Sequence, residues 1–338
     1  MCKKMKWINV ALLMCKGSLS IIIPMISYLK FNSINLSILS SVIWRVSSYC
    51  SNYYKFKRKI ACPICVVSLG LCFILNNPFL FFISLSVSLI FFFGYHPFSI
   101  DKYSRNINKF FYLFGIMIGG PILLLGNYIF FYLIVILILS CLKNEVLDLT
   151  KIHKQNTGKK DIPSLSSIGQ SIIYIGAFCH NAHYYAYSII IPVFLYCKGV
   201  SVTVIGICFS FGWIYYLFKE QITEKFIVLM NPTIIIIMGF LVNAIMLFAM
   251  AYGNTIIFLL AWLITGITAG ISENFWCYKN ISAYKLRNIW EIGGICGTFI
   301  ALIISILTNS IIIIFIISAL LCFIGATSFV VVLWKNIN

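Results

Sequence analysis

His180, His183, Tyr184 and Tyr187 stand at i, i+3, i+4 and i+7 inside an otherwise apolar stretch. That spacing lays two imidazoles and two phenols along one face of a helix. Such a stripe can donate and accept hydrogen bonds, exchange a proton near neutral pH, or bond one helix to another. Two histidines alone are too few for a metal site. No neighbouring apolar run supplies a carboxylate or a third imidazole, so neither a metal nor a cofactor is expected.

Two cations lie in comparable surroundings. Lys16 falls near the middle of the apolar run 7–29, and Arg45 is equally central in 34–54. A lysine facing lipid at that depth costs at least ~2.5 kcal/mol, so Lys16 is expected to face a cavity or a partner. None of the eight acids sits in the middle of an apolar run. Asp101 and Glu273 fall near run ends, and Asp101–Arg105 and Arg287–Glu291 are each spaced i, i+4. A cytoplasmic gate, simple helix pairing and proton coupling are all open readings for these acids. Cys62-Pro-Ile-Cys65 has the spacing of a thioredoxin-type motif, but it opens an apolar run instead of following a strand. Gly266-x-x-x-Gly270 is a spacing that lets helices pack closely. Phosphate loops, catalytic triads and zinc ligand sets are missing, so the sequence is not that of an enzyme or an ATP-driven motor.

The elements that position these residues follow from composition. Mean hydropathy is +1.00, 61% of residues are hydrophobic and 10% are charged. A soluble domain cannot hide that much apolar surface, whereas a chain in a bilayer turns it to lipid. The thirteen cysteines mostly lie inside apolar runs and form no spaced disulfide framework. A spanning helix needs ~20 apolar residues, and the alternative, a closed barrel, would need alternation that is absent. Apolar runs fall at 7–29, 34–54, 60–75, 78–96, 109–126 and 128–142, then at 170–196, 203–222, 232–252, 255–277, 289–307 and 311–334. Residues 143–167 form one long polar stretch between the two sets. Several runs are near the lower length limit, which leaves ten or eleven crossings open beside twelve. The first run has a basic start like a secretory signal, but Lys16 interrupts it and no small-residue cleavage site follows. It is expected to remain as a helix.

The charge distribution orients the chain. With twelve spans and a cytoplasmic N-terminus, 21 of the 25 Lys and Arg fall in cytoplasmic segments, and two, Lys30 and Lys198, fall outside. This is the positive-inside asymmetry. It accounts for the net charge of +17 without nucleic acid. Both termini are therefore expected in the cytoplasm of a cell whose (inner) membrane holds the chain.

The sequence also repeats itself. Ser20-Ile-Ile-Ile-Pro24, Tyr28, Lys30 and Ser33 return as Ser188-Ile-Ile-Ile-Pro192, Tyr196, Lys198 and Ser201, always 168 residues on. The expected fold class is an all-α polytopic membrane protein of about 12 transmembrane helices arranged as two parallel six-helix repeats. The halves are 1–142 and 168–338, joined by the linker 143–167. The same offset maps Lys16 onto Tyr184 and Arg45 onto Trp213. In a twofold-related pair of halves, Lys16 is then expected opposite Tyr184 across a central cavity, with Arg45 a candidate for the same wall.

Two such halves resemble the major facilitator superfamily, in which substrate binds between parallel halves near the midplane. The residues His183, Tyr184, Tyr185, Tyr187 and Ser188, then Gly199, Ser201 and Gly206, are similar to the seventh and eighth spans of its phenylpropionate-permease-like branch. That branch is related to the lactose and nucleoside proton symporters. Pro97, Asp101 and Tyr103 resemble its fourth-to-fifth connection. Gly120-Pro121 resembles the drug-antiporter motif, with its usual upstream glycine one place out at Gly115. Between spans two and three only Lys57-Arg58-Lys59 matches the superfamily pattern, and at 338 residues the chain is short.

The resemblance implies a secondary transporter, with proton-coupled uptake of a small organic solute by alternating access as its expected activity. Two mid-span cations without a mid-span acid add the expectation of an anionic solute. The substrate-binding candidates are Lys16, Arg45, His180, His183, Tyr184, Tyr187 and Trp213, with Asp101 and Glu273 as proton-coupling or gate candidates. The expected partners are a small-molecule substrate, a proton or other coupling ion and the lipid bilayer, with the protein a monomer. Two alternatives stay open: export of a drug- or peptide-like compound, and a non-transporting immunity or assembly protein built on the same plan.

Overall fold

The structure, a computed structural model, describes residues 2–50, 53–54, 56, 58–95, 105–126, 167–215, 217–218, 231–273 and 283–337. Among them there is no strand. The helices are α1 (Cys2–Phe31), α2 (Ile34–Cys50), α3 (Arg58–Ile74), α4 (Pro78–Tyr95) and α5 (Arg105–Leu123). After the linker come α6 (Ser167–Ser188), α7 (Ile191–Cys197), α8 (Val202–Ser210) and a 3₁₀ turn, Phe211–Trp213. The chain then forms α9 (Pro232–Tyr252), α10 (Thr255–Glu273), α11 (Ala283–Thr308) and α12 (Ile311–Ile337). The expected span 128–142, most of the linker, Asp101, Pro97 and Tyr103 lie outside the described residues. By length and apolar composition, Thr233–Tyr252, Lys285–Thr308 and Ile311–Trp334 suffice to cross a bilayer. The apolar stretches Pro63–Cys72, Pro78–Phe93, Lys109–Leu123, Val202–Trp213 and Thr255–Ile271 are shorter.

Several boundaries follow from single residues. Asn77 accepts hydrogen bonds from the backbone of Phe79 (2.9 Å) and Leu80 (3.3 Å), which caps α4 just ahead of Pro78. Asn231 caps α9 through Thr233 N at 2.9 Å, and Asn254 caps α10 through Ile257 N at 2.9 Å. Asparagine followed by proline at the first helical position suits a helix start, since proline has no N–H to leave unsatisfied.

The repeated Ser-Ile-Ile-Ile-Pro segment takes two forms. In α1 it stays helical through Pro24, whereas the second copy breaks after Ser188, and Ile190 N bonds Tyr187 O three residues back. The expected single span 170–196 is thus two helices. The Pro192 ring removes the N–H that would have bonded the Ser188 carbonyl, and the chain tightens upstream of it. Within the expected span 203–222, α8 passes after Ser210 into the 3₁₀ turn, and residues 216 and 219–222 lie outside the described residues.

The chain forms two compact units. One comprises Met1–Lys154 and Pro192–Ser210; the other comprises Gln155–Ile191 and Phe211–Asn338. In the first unit α1 and α5 make the closest crossing. A Cβ on Gly17 would strike the Tyr112 carbonyl, and one on Gly115 would strike the Met14 carbonyl. On another side α5 packs against α8, where a Cβ on Gly206 would come within 2.5 Å of the Met117 carbonyl oxygen and one on Gly120 would overlap that of Val202. Ser37 Oγ of α2 donates to the Pro24 carbonyl of α1 at 2.8 Å. Lys30 Nζ donates to the Cys72 carbonyl near the end of α3 at 3.1 Å, a favourable place for a cation. The matched residues Tyr28 and Tyr196 of the two repeat copies meet edge to face, with centroids 5.8 Å apart. The copies also end alike, on the left-handed residues Asn32 (φ 48°) and Gly199 (φ 85°).

In the second unit α6 packs against α11 and α12, and α9 against α10 and α12. Gly293 and Gly297 of α11 bring it against the backbone of α6 at Phe178 and Ala182. Gly266 and Gly270 do the close packing expected of them, Gly266 against the Gly212 carbonyl and Gly270 against the Tyr215 ring. Thr268 of α10 donates to Asn243 of α9, a hydrogen bond between two helices.

Candidate functional site

The stripe of α6 faces into the second unit. His180 is 3% exposed, and His183 and Tyr187 have no exposed surface. Their rings run in sequence, with His180–His183 centroids 5.6 Å apart and His183–Tyr187 6.1 Å apart at 24°. Phe240 of α9 lies 5.8 Å from both imidazoles, and Trp290 of α11 is 6.0 Å from His180. Tyr184, half-buried, is 5.7 Å from Tyr187 and 6.0 Å from Trp213. Trp262 of α10 stands behind both tyrosines, 6.4 Å from Tyr184 and 5.9 Å from Tyr187. Edge-to-face and offset pairs at such distances add ~0.5–1.5 kcal/mol each beyond area burial.

Polar atoms within this aromatic cluster are few. His183 Nδ1 lies 2.9 Å from the Cys179 carbonyl oxygen. A carbonyl only accepts, so Nδ1 carries the hydrogen, and Nε2 of the neutral ring presents a lone pair. Nε2 is buried and, among the described residues, meets no hydrogen-bond partner. The Tyr187 hydroxyl lies beside Thr265 without a well-formed hydrogen bond. Asn181 Nδ2 donates to the Trp290 carbonyl at 2.8 Å and ties α6 to α11. Among the described residues no group of three metal-ligating side chains forms.

The structure thus gathers His180, His183, Tyr184, Tyr187 and Trp213 in one unit. Lys16 and Arg45 are carried by the other, on α1 and α2; both are half-buried and neither is without a partner. Arg45 lies two turns beyond Ser37, which holds the Pro24 carbonyl, at ~12 Å along α2. Glu273 is the last residue of α10. Phe240, Trp262 and Trp290 escaped the sequence reading. Aromatics inside apolar spans carry no periodic signal, although the tryptophans could have been weighed as residues needing a partner for their N–H.

The described helices define an all-α class, and three of them are long and apolar enough to cross a bilayer. No family model matches the chain, and no curated protein resembles it significantly in sequence. Solved structures do resemble it. A bacterial metal transporter superposes with a TM-score of 0.72 at 10% identity, over 97% of this chain and 98% of that one. The nucleoside transporter NupG gives 0.67 at 11% identity, over 98% and 100%. The fucose:proton symporter FucP of E. coli, of the major facilitator superfamily, gives 0.53 at 11% identity, over 97% and 98%. At these identities the likeness is one of fold.

Proposed function

We propose that the chain is a secondary transporter that takes up a small organic anion together with protons. The carrying observation is the buried stripe of α6, where His183 Nε2, amid aromatic rings, has no partner among the described residues. A buried polar atom without a partner costs ~1–3 kcal/mol, a burden that a merely structural histidine has no reason to keep. Neighbours in fold named as transporters of metal, nucleoside and fucose support transport as the activity. Lys16 is proposed to hold the anionic group of the solute. Export draws little support from Gly120-Pro121, because Gly120 has a packing role against α8. The test is metabolite profiling of cells and medium with and without the gene. Gene-dependent depletion of a solute from the medium supports uptake, and internal accumulation on deletion supports export. No difference favours a non-transporting protein. Lys16→Gln should lose an anionic solute selectively while Lys16→Arg keeps part of its uptake; equal loss of the anion and its neutral ester would make Lys16 structural.

A further inference from the structure

Resting on the transporter reading, we infer that His183 Nε2 is the atom that accepts the coupling proton, in place of the acids Asp101 and Glu273. Nδ1–H is committed to the Cys179 carbonyl at 2.9 Å, so the ring is held in one tautomer with its remaining lone pair open. Burial argues that the occupant is small. His183 has no exposed surface, and Tyr187, Phe240 and His180 around it are exposed by 0, 2 and 3%. A solute does not fit against an atom so enclosed, whereas a proton needs no volume.

The step balances simply. One proton adds to the Nε2 lone pair, no bond breaks, and the imidazole becomes an imidazolium with charge +1. Among the described residues, a carbonyl and an aromatic ring are what face that charge. The Cys179 carbonyl already faces Nδ1–H, and the Phe240 ring stands 5.8 Å away, tilted by 58°. The stacked Tyr187 ring covers the opposite direction along the helix.

Other titratable groups around His183 are few. On α6 itself these are Cys179, His180 and the tyrosines 174, 184, 185 and 187. From α12 comes Cys322, fully buried. Toward the start of α11 come Tyr284, then Lys285 and Arg287, both exposed, and Glu291, half-buried. Cys296 lies further along α11, half-buried. On α9 only Tyr252 titrates, exposed at the helix end, and on α10 only Glu273, also at the end. His180 stands 5.6 Å from His183, and like charges on both rings would repel. Loading and unloading then require α6 to open toward water, which ties the proton to a conformational step.

The test reads the proton without knowledge of the solute. Exchange of the imidazole C2 hydrogen for deuterium proceeds through the protonated ring, and its rate rises sigmoidally with pH about the pKa. The full chain, in lipid nanodiscs, is incubated in D2O from about pH 5 to pH 9, the range where histidine switches. Peptides are then read by mass spectrometry, with His180→Gln isolating His183. A sigmoidal profile at His183 is expected; no exchange at any pH would show that the ring is never protonated and would overturn the assignment. In the metabolite comparison, wild type treated with a protonophore and His183→Gln should both bring the gene-dependent solute to parity across the membrane instead of concentrating it. Concentration retained by His183→Gln would also overturn the assignment while leaving transport intact. Absence of any gene-dependent solute would remove the transporter reading itself, whatever the exchange profile.

Discussion

Replacing Gly297 by alanine should force α11 away from α6, and the size of the effect can be worked from the contact. A Cβ at Gly293 would stand 2.5 Å from the Phe178 carbonyl oxygen, where ordinary contact begins at 3.4 Å; at Gly297 the overlap with the Ala182 carbonyl is greater. In both cases the obstacle is helix backbone, which cannot rotate aside as a side chain would. Overpacking of this kind costs about 1–3 kcal/mol. The Asn181–Trp290 hydrogen bond between the same helices would be lengthened too, and such bonds contribute about 0.6–2 kcal/mol in membranes. Gly297→Ala should therefore lower stability by about 2–4 kcal/mol, and Gly293→Ala by about 1–3 kcal/mol. Thermal unfolding in detergent, followed by a maleimide dye that reacts as the buried Cys179 and Cys322 become exposed, measures the change. Ile303→Ala on the exposed side of α11 serves as the control and should shift stability by less than about 0.5 kcal/mol. If Gly297→Ala melts with the control, the two backbones are not in contact and the reasoning fails.

Three further expectations concern single residues. Ser37→Ala should destabilise by about 0.6–1.7 kcal/mol, read by the same unfolding assay, through loss of the bond to the Pro24 carbonyl. Asn254→Ala should remove the cap of α10 and cost about 1 kcal/mol, whereas Asn254→Asp or Asn254→Ser should restore most of it. Cysteines placed at Asn77 and Asn309 in a cysteine-free chain should react with an impermeant maleimide added outside sealed cells. Labelling of a cysteine at Lys57 from outside would overturn the expected twelve-span topology.

Much of the site was legible because helical periodicity is a strong signal wherever polar residues interrupt apolar ones. The i, i+3, i+4, i+7 stripe placed His180, His183, Tyr184 and Tyr187 on one face, and the structure lines their rings up along α6. Trp213 entered only as the residue that the repeat offset pairs with Arg45; in the structure its ring stands 6.0 Å from Tyr184. Phe240, Trp262 and Trp290 could not be found that way, because in a span that is apolar all round every face reads alike. The break between α6 and α7 was illegible for a different reason. The same five residues run unbroken through α1, so the local sequence permits both forms and the tertiary surroundings choose between them. Helix starts were easier, since Asn77 and Asn231 precede prolines and act on their own next few residues.

That break also bears on how the protein is made. The helices α7 and α8 have 7 and 9 residues, lengths of ~10 and ~13 Å, and neither can cross a bilayer alone. Insertion as independent segments is closed to them, and they must enter the membrane together with neighbouring parts of the chain. The surface that receives α8 is the glycine face of α5, synthesised some eighty residues earlier. Biogenesis of the middle of this chain therefore waits on a helix already in place: a ribosome stalled after α8 should leave a protease-resistant product only when Gly120 and Gly206 are intact.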